Sequence, residues 1–238
     1  MPKCEFSETQ YSFGYTYEFM NNYIPWTDIF PFFPSTGMEG KTGFGYDVLI
    51  NHNLFFQFKI PFYITKKHSS TKDQWNAHKK AYYRISINTN GNQFKQLKDL
   101  KKSNNEVFYC APEFNKQSEF QKYFLNKEIV DNSVLFSIDD LPNHLSGQHS
   151  MTFKPKDFIG FLFSEPKEVN KQNLKSIFDK TEGKEISLRN ELKRLIELFD
   201  IQMFDLSFKE DNLYQKFNYI RLELYSKFDI IWLPVIEK

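Results

Sequence analysis

Residues 54–60, LFFQFKI, set two polar side chains, Gln57 and Lys59, into an otherwise aromatic and aliphatic run. Strand side chains alternate between faces, so Gln57 and Lys59 share one face. Leu54, Phe56, Phe58 and Ile60 then take the other, toward a core. Just upstream, GFGYDVLI carries a lone acid, Asp47. The stretch from Gly43 to Ile60 reads as a β-hairpin. A three-residue loop, Asn51-His52-Asn53, would pair Ile50 with Leu54 and set Asp47 opposite Gln57 on the polar face. Cross-strand neighbours lie about 5 Å apart at Cβ, close enough for both to ligate one hard cation. A two-residue loop would put Asp47 opposite Phe58, so the cluster depends on the loop length.

The elements around this stretch are marked by caps and periodicity. Ser7 and Gln10 fit a capping box, and Phe6 with Tyr11 fits a hydrophobic staple. Phe13, Tyr17, Met20 and Ile24 recur at helical spacing as the expected buried stripe, with Glu18, Tyr11 and Tyr15 off it. Pro25 ends this helix. Residues 25–43 read as a loop rich in Pro, Gly and Phe. A polar, basic segment, Thr65 to Lys80, leads to a strand at Tyr82 to Ile87. A helix through Phe94, Leu97 and Leu100 follows, then a mostly apolar and so central strand, Glu106 to Ala111. Asn115 is the expected cap of a helix through Phe120 and Phe124. Ser133 to Ile138, Met151 to Phe153 and Phe158 to Phe163 are further strands. Asn170 to Lys180 and Ser187 to Phe199 are expected helices, and the apolar stretches Tyr219 to Tyr225 and Ile230 to Ile236 follow.

Length and charge bound the function. The 238 residues suffice for a sizeable core. A net charge of +1 gives no global pull toward nucleic acid or membrane. No 18-residue apolar run and no signal-peptide core are present, and Cys4 and Cys110 suit a reducing cytosol, so a cytoplasmic protein is expected. Charge is nevertheless segregated. Residues 59–102 carry eleven Lys plus Arg against two acids, whereas residues 1–58 carry two Lys against six acids. Such a segment can track a phosphate backbone, through Lys66, Lys67, Lys72, Lys79, Lys80 and Arg84. His144, His149 and Cys110 have no companions at metal-ligand spacing.

The order of helix with Glu18, loop, strand with Asp47, strand with Gln57-x-Lys59, basic segment, helix and apolar strand resembles the PD-(D/E)xK nuclease superfamily. It is closest to the Gln-x-Lys branch, seen in Holliday-junction resolvases and some restriction endonucleases acting on modified DNA. The resemblance covers residues 5–112 and departs from the pattern at Tyr46, where the family name expects Pro. It implies an α/β, restriction endonuclease-like mixed sheet flanked by helices over residues 1–154. Residues 155–238 would be an α+β extension for recognition or dimerisation, packed on that core or separate from it. It also implies a Mg²⁺- or Mn²⁺-dependent endonuclease, on DNA ahead of RNA, with a role in antiviral defence.

The chemistry then assigns roles. Phosphodiester hydrolysis needs a metal to offset charge on the phosphate and to supply hydroxide near neutral pH. Asp47 would give a carboxylate. Gln57 would give an amide oxygen, or leave that place to the next backbone carbonyl. Lys59 would orient the attacking water and offset phosphate charge. Glu18 would bind the metal directly or through water, with Glu8 as a rival at the helix start. Two other classes stay open: a non-cleaving nuclease-fold protein that binds nucleic acid or a protein partner, and a structural module whose aromatic surfaces are interfaces.

Overall fold

The structure, a computed structural model, describes residues 3–23, 49–50, 52–102, 105–141, 146–163, 167–174, 177, 186–202 and 213–235. In chain order these form α1 (Glu8–Tyr23), β1 (Leu49–Ile50), β2 (His52–Phe58), β3 (Phe62–Ile64), α2 (Lys72–His78), β4 (Tyr82–Asn88), α3 (Asn92–Lys102) and β5 (Glu106–Pro112). Then come α4 (Gln117–Asn126), β6 (Ser133–Ser137), β7 (Gln148–Phe153), β8 (Ile159–Phe163), β9 (Lys167–Asn170), β10 (Ile186–Ser187), α5 (Leu188–Phe199), α6 (Leu213–Phe228) and β11 (Ile230–Val235). No helix among the described residues is long and apolar enough to cross a membrane.

Two main sheets organise this mixed α/β chain. The first has the order β11-β2-β5-β6, and the second, wholly antiparallel, has the order β3-β4-β7-β8-β9. In the first, β2 runs parallel to β5 and antiparallel to β11. One face of this sheet carries Leu54, Phe56, Phe58, Phe108 and Cys110 against Tyr11, Tyr15 and Phe19 of α1 and Phe120 of α4. The other face carries Phe55, Val107, Tyr109 and Trp232 against Leu97, Leu192 and Ile220 of three helices and Ile85 and Met151 of the second sheet. β2 and β5 are therefore buried on both sides, which explains their nearly continuous apolar sequence. Residues beyond 154 contribute to both sheets, because β8 and β9 extend the second and β11 closes the first.

The expected hairpin from Gly43 to Ile60 is not formed. His52 and Asn53 are not a loop but the start of β2, whose edges are taken by β11 and β5. β1 pairs instead with β10, Leu49 opposite Ser187. The polar face expected for the strand is corrected as well. Gln57 is fully buried, because the helices and second sheet cover that side.

The first helix begins as its cap predicts: the N–H of Gln10 donates to Ser7 Oγ at 3.0 Å. Its buried stripe is the reverse of the expected one. Phe13 and Tyr17 are 64% and 44% exposed, and Tyr11, Tyr15, Glu18 and Phe19 face inward. Tyr11 can be buried because its hydroxyl is satisfied, donating to Ser133 Oγ at 2.8 Å beside Cys110 Sγ at 3.2 Å. The helix through Phe120 starts at Gln117 rather than at an Asn115 cap, with the Glu119 carboxylate accepting the N–H groups of Asn115 and Lys116. Asn170, the expected start of a helix, instead ends an unexpected strand, β9, while α5 begins one residue after the expected start, with Ser187 Oγ accepting the Asn190 N–H at 3.2 Å. A buried polar network pins the start of β2. Asn53 donates to Asn105 at 2.8 Å and to Glu191 at 2.7 Å, Trp232 Nε1 donates to Asn53, and Arg194 pairs with Glu191.

Candidate functional site

Polar residues lie around the C-terminal end of β2 on both sides of the sheet, Gln57 on the face turned to the second sheet and Glu8 at the start of α1, which packs on the opposite face. Gln57 sits opposite Tyr109 on β5 and Ile230 on β11. Its Nε2 makes one long contact, 3.4 Å to the Phe58 carbonyl, and its Oε1 has no partner among the described residues. A buried amide oxygen left unpaired costs about 1–3 kcal/mol, so its presence here calls for a function. Lys59 follows directly, half-buried, its N–H donating to the Cys110 carbonyl at 2.9 Å. That bond carries the parallel pairing of β2 and β5 one step past the strand.

Two acids stand at the same end. Glu8 opens α1, and its carboxylate accepts the N–H of Ile60 and feels the charges of Lys59 and Asp229. Burial raises the Glu8 carboxyl above its usual range. Lys59 opposes that rise, Asp229 adds to it, and the Ile60 N–H opposes it. Asp229 is exposed between α6 and β11 in the left-handed region, φ 52°, its N–H donating to the Tyr225 carbonyl at 3.0 Å. A lysine beside a carboxyl with a raised pKa suits proton transfer next to a bound anion. Sequence reasoning kept Glu8 as a rival and missed Asp229. The signal for Asp229 was an acid between a helical stretch and an apolar strand, which reads as a cap.

The other predicted site residues fall elsewhere. Asp47 lies outside the described residues, as does His144. Glu18 is committed to the scaffold. It is buried, and its two oxygens accept the N–H groups of Ile129 at 2.6 Å and Val130 at 3.2 Å. That task corrects its expected place in a metal site. Cys110 is a buried thiol pushed up to about 12 by burial, and so unreactive. His149 is buried within β7. Among the described residues no three His, Cys, Asp or Glu side chains are grouped to hold a metal ion.

The basic residues divide. Lys66, Lys67, Lys72, Lys79 and Lys80 are exposed. Arg84 is half-buried within β4, its guanidinium 5.5 Å from the Phe62 ring centre. A separate apolar groove of about 490 Å³ lies between α1, α6 and β11, lined by Ser12, Thr16, Arg221, Tyr225 and Trp232 among others. None of the candidate site residues from the sequence borders it among the described residues, although Phe13 of the expected helix stripe does.

Comparisons with protein-family models, with curated proteins and with solved structures find no match to this chain.

Proposed function

We propose that this chain is a metal-dependent nuclease of restriction endonuclease-like type, hydrolysing phosphodiester bonds in DNA ahead of RNA. The observation that carries the reading is the fully buried amide oxygen of Gln57, without a partner among the described residues, two residues before Lys59 at the strand end where Glu8 and Asp229 also lie. A hard oxygen donor held without a hydrogen bond suits Mg²⁺ or Mn²⁺. The described residues supply too few grouped ligands to hold the ion alone; the further carboxylate is the one that the resemblance assigns to Asp47, which lies outside the described residues. When bound, such an ion would lower the pKa of its water and offset charge on the phosphate. The chain's own part is positional. Lys59 presents its ammonium to the phosphate, and Glu8 holds or releases a proton beside it.

The test is cleavage of plasmid DNA and of RNA with a panel of divalent ions. Asp47→Ala and Lys59→Ala are expected to abolish cleavage, and Glu18→Gln to keep it once folding is matched. No cleavage of either substrate with any ion would refute the reading. A second reading, a nuclease-fold protein that binds nucleic acid without cutting, is favoured by one observation: Glu18 is occupied by backbone N–H groups. Binding without cleavage, unaffected by Asp47→Ala, would support it.

A further inference from the structure

The strand register brings separated lysines to one end of the second sheet. Ile64 lies opposite Tyr82, so Lys66 and Lys67, just past β3, come up beside Lys79 and Lys80, just before β4. Tyr83 lies opposite Phe153, which brings the β7–β8 turn, with Lys156, to the same end. Phe158 closes that turn, its carbonyl accepting the Lys171 N–H at 2.9 Å. The turn is fixed against α2: His78, in the last turn of the helix, reaches Thr152 Oγ1 at 2.7 Å and packs edge-on against Phe161 at 5.2 Å.

The charge balance at this end is one-sided. Lys66, Lys67, Lys79, Lys80 and Lys156 are all exposed, and none of the five makes an ion pair among the described residues. Of the acids in these segments, Asp157 pairs with Lys154 at 2.7 Å and Glu113 with Lys171, and Asp73, exposed in the first turn of α2, offsets one of the lysine charges. Phe158 stands in this field 84% exposed. A large apolar ring in solvent among lysines has no structural use. It does present a flat face on which a base can stack. The lysines span the ends of four strands, β3, β4, β7 and β8, which at about 4.8 Å spacing make a front roughly 14 Å wide, the reach of several consecutive phosphates.

We infer that this end of the second sheet binds single-stranded nucleic acid, with the five lysines on successive phosphates and Phe158 stacked on an unpaired base. The class of partner rests on the nuclease reading. The surface rests on the register, the exposure and the charge. It also meets the candidate site, because Glu113, directly after β5, accepts the Lys156 N–H at 3.1 Å, and β5 ends beside Lys59. A strand lying along the front would thus be led to the end of β2.

The experiment is fluorescence anisotropy with a labelled oligothymidylate and a duplex of equal length, in EDTA, over a salt series. The full chain is expected to bind the single strand more tightly. The variant Lys79→Ala/Lys80→Ala/Lys156→Ala should flatten the slope of log affinity against log salt by about 2, since each phosphate contact on a single strand is worth about 0.7. Phe158→Ala should weaken single-strand binding about 5-fold or more and leave the slope and duplex binding unchanged. Lys95→Ala/Lys102→Ala, on α3, should change nothing. Unchanged binding in the triple variant, an equal loss in the α3 variant, or no oligothymidylate binding by the full chain at low salt would each overturn the inference. Because no metal or cleavage is involved, loss of nuclease activity with binding intact counts against the proposed reaction and not against this surface.

Discussion

Replacing Gln57 by Met tests the claim that this side chain is kept at the expense of stability. The two side chains have similar volume, and volume-conserving swaps in a core are well tolerated. Among the described residues Gln57 Oε1 is buried without a partner, and Nε2 makes only the 3.4 Å contact to Phe58. Removing the amide relieves a desolvation cost of about 1–3 kcal/mol and forfeits a long hydrogen bond worth under about 1 kcal/mol. The net expectation is a gain of about 1–2 kcal/mol. For a chain of this size each kcal/mol moves Tm by about 2–4 °C. Urea unfolding followed by tryptophan fluorescence, with m unchanged, gives the free energy. Cleavage measured on the same protein should be lost. A stabilised, inactive Gln57→Met is the signature of a polar group retained for chemistry. Destabilisation by 1 kcal/mol or more would refute the reasoning, because the amide would then be a satisfied member of the core.

Glu18→Ala strands the N–H groups of Ile129 and Val130; it should cost about 1–3 kcal/mol in urea unfolding while leaving Mn²⁺ affinity unchanged. Burial holds the His78 imidazole down to about 4, so the unfolded chain takes up a proton near pH 6.5 that the folded chain refuses. Stability should therefore fall as pH drops from about 6.5 to about 4 and level off below, by about 2 kcal/mol at pH 5. His78→Gln should remove that slope, as read from urea midpoints at pH 7 and pH 5. Gly160→Ala would place a methyl 2.8 Å from a Phe136 ring carbon and 3.1 Å from the Thr152 carbonyl, costing about 1–3 kcal/mol by thermal melting.

The strand LFFQFKI was legible in its alternation: Leu54, Phe56 and Phe58 do share one core, and Gln57 faces the other way. Its neighbours were not legible, because they come from residues 106–110 and 230–235, and local turn chemistry carries no information about pairings so distant. The adjacent Phe55 and Phe56 did carry a signal of burial on both faces, which a half-solvated hairpin does not explain. In α1 the Ser7 cap fixed the start, but both faces are aromatic, so periodicity alone could not choose between them. Packing chose the face whose Tyr11 hydroxyl reaches Ser133. Lys66, Lys67, Lys79 and Lys80 stood out as a basic run. Lys156 and Phe158 joined them only through the register of β4, β7 and β8.

The pairing of β11 with β2 also dictates the order in which this protein can be made. Trp232 and Asn53 are bonded across 179 residues of chain, a closure whose entropy alone is about 4–5 kcal/mol. Contacts of that span form late and slowly. Until residues 230–235 leave the ribosome, β2 keeps one bare edge, an apolar and aromatic template open to other strands. The nascent chain is therefore exposed to misassembly until residues 230–235 have been made, and a holding chaperone is expected to matter most in that interval. Asp229 and Ile230 arrive at the end of β2 together with the strand that closes it. The proposed site therefore cannot be complete before residues 229–235 have been made.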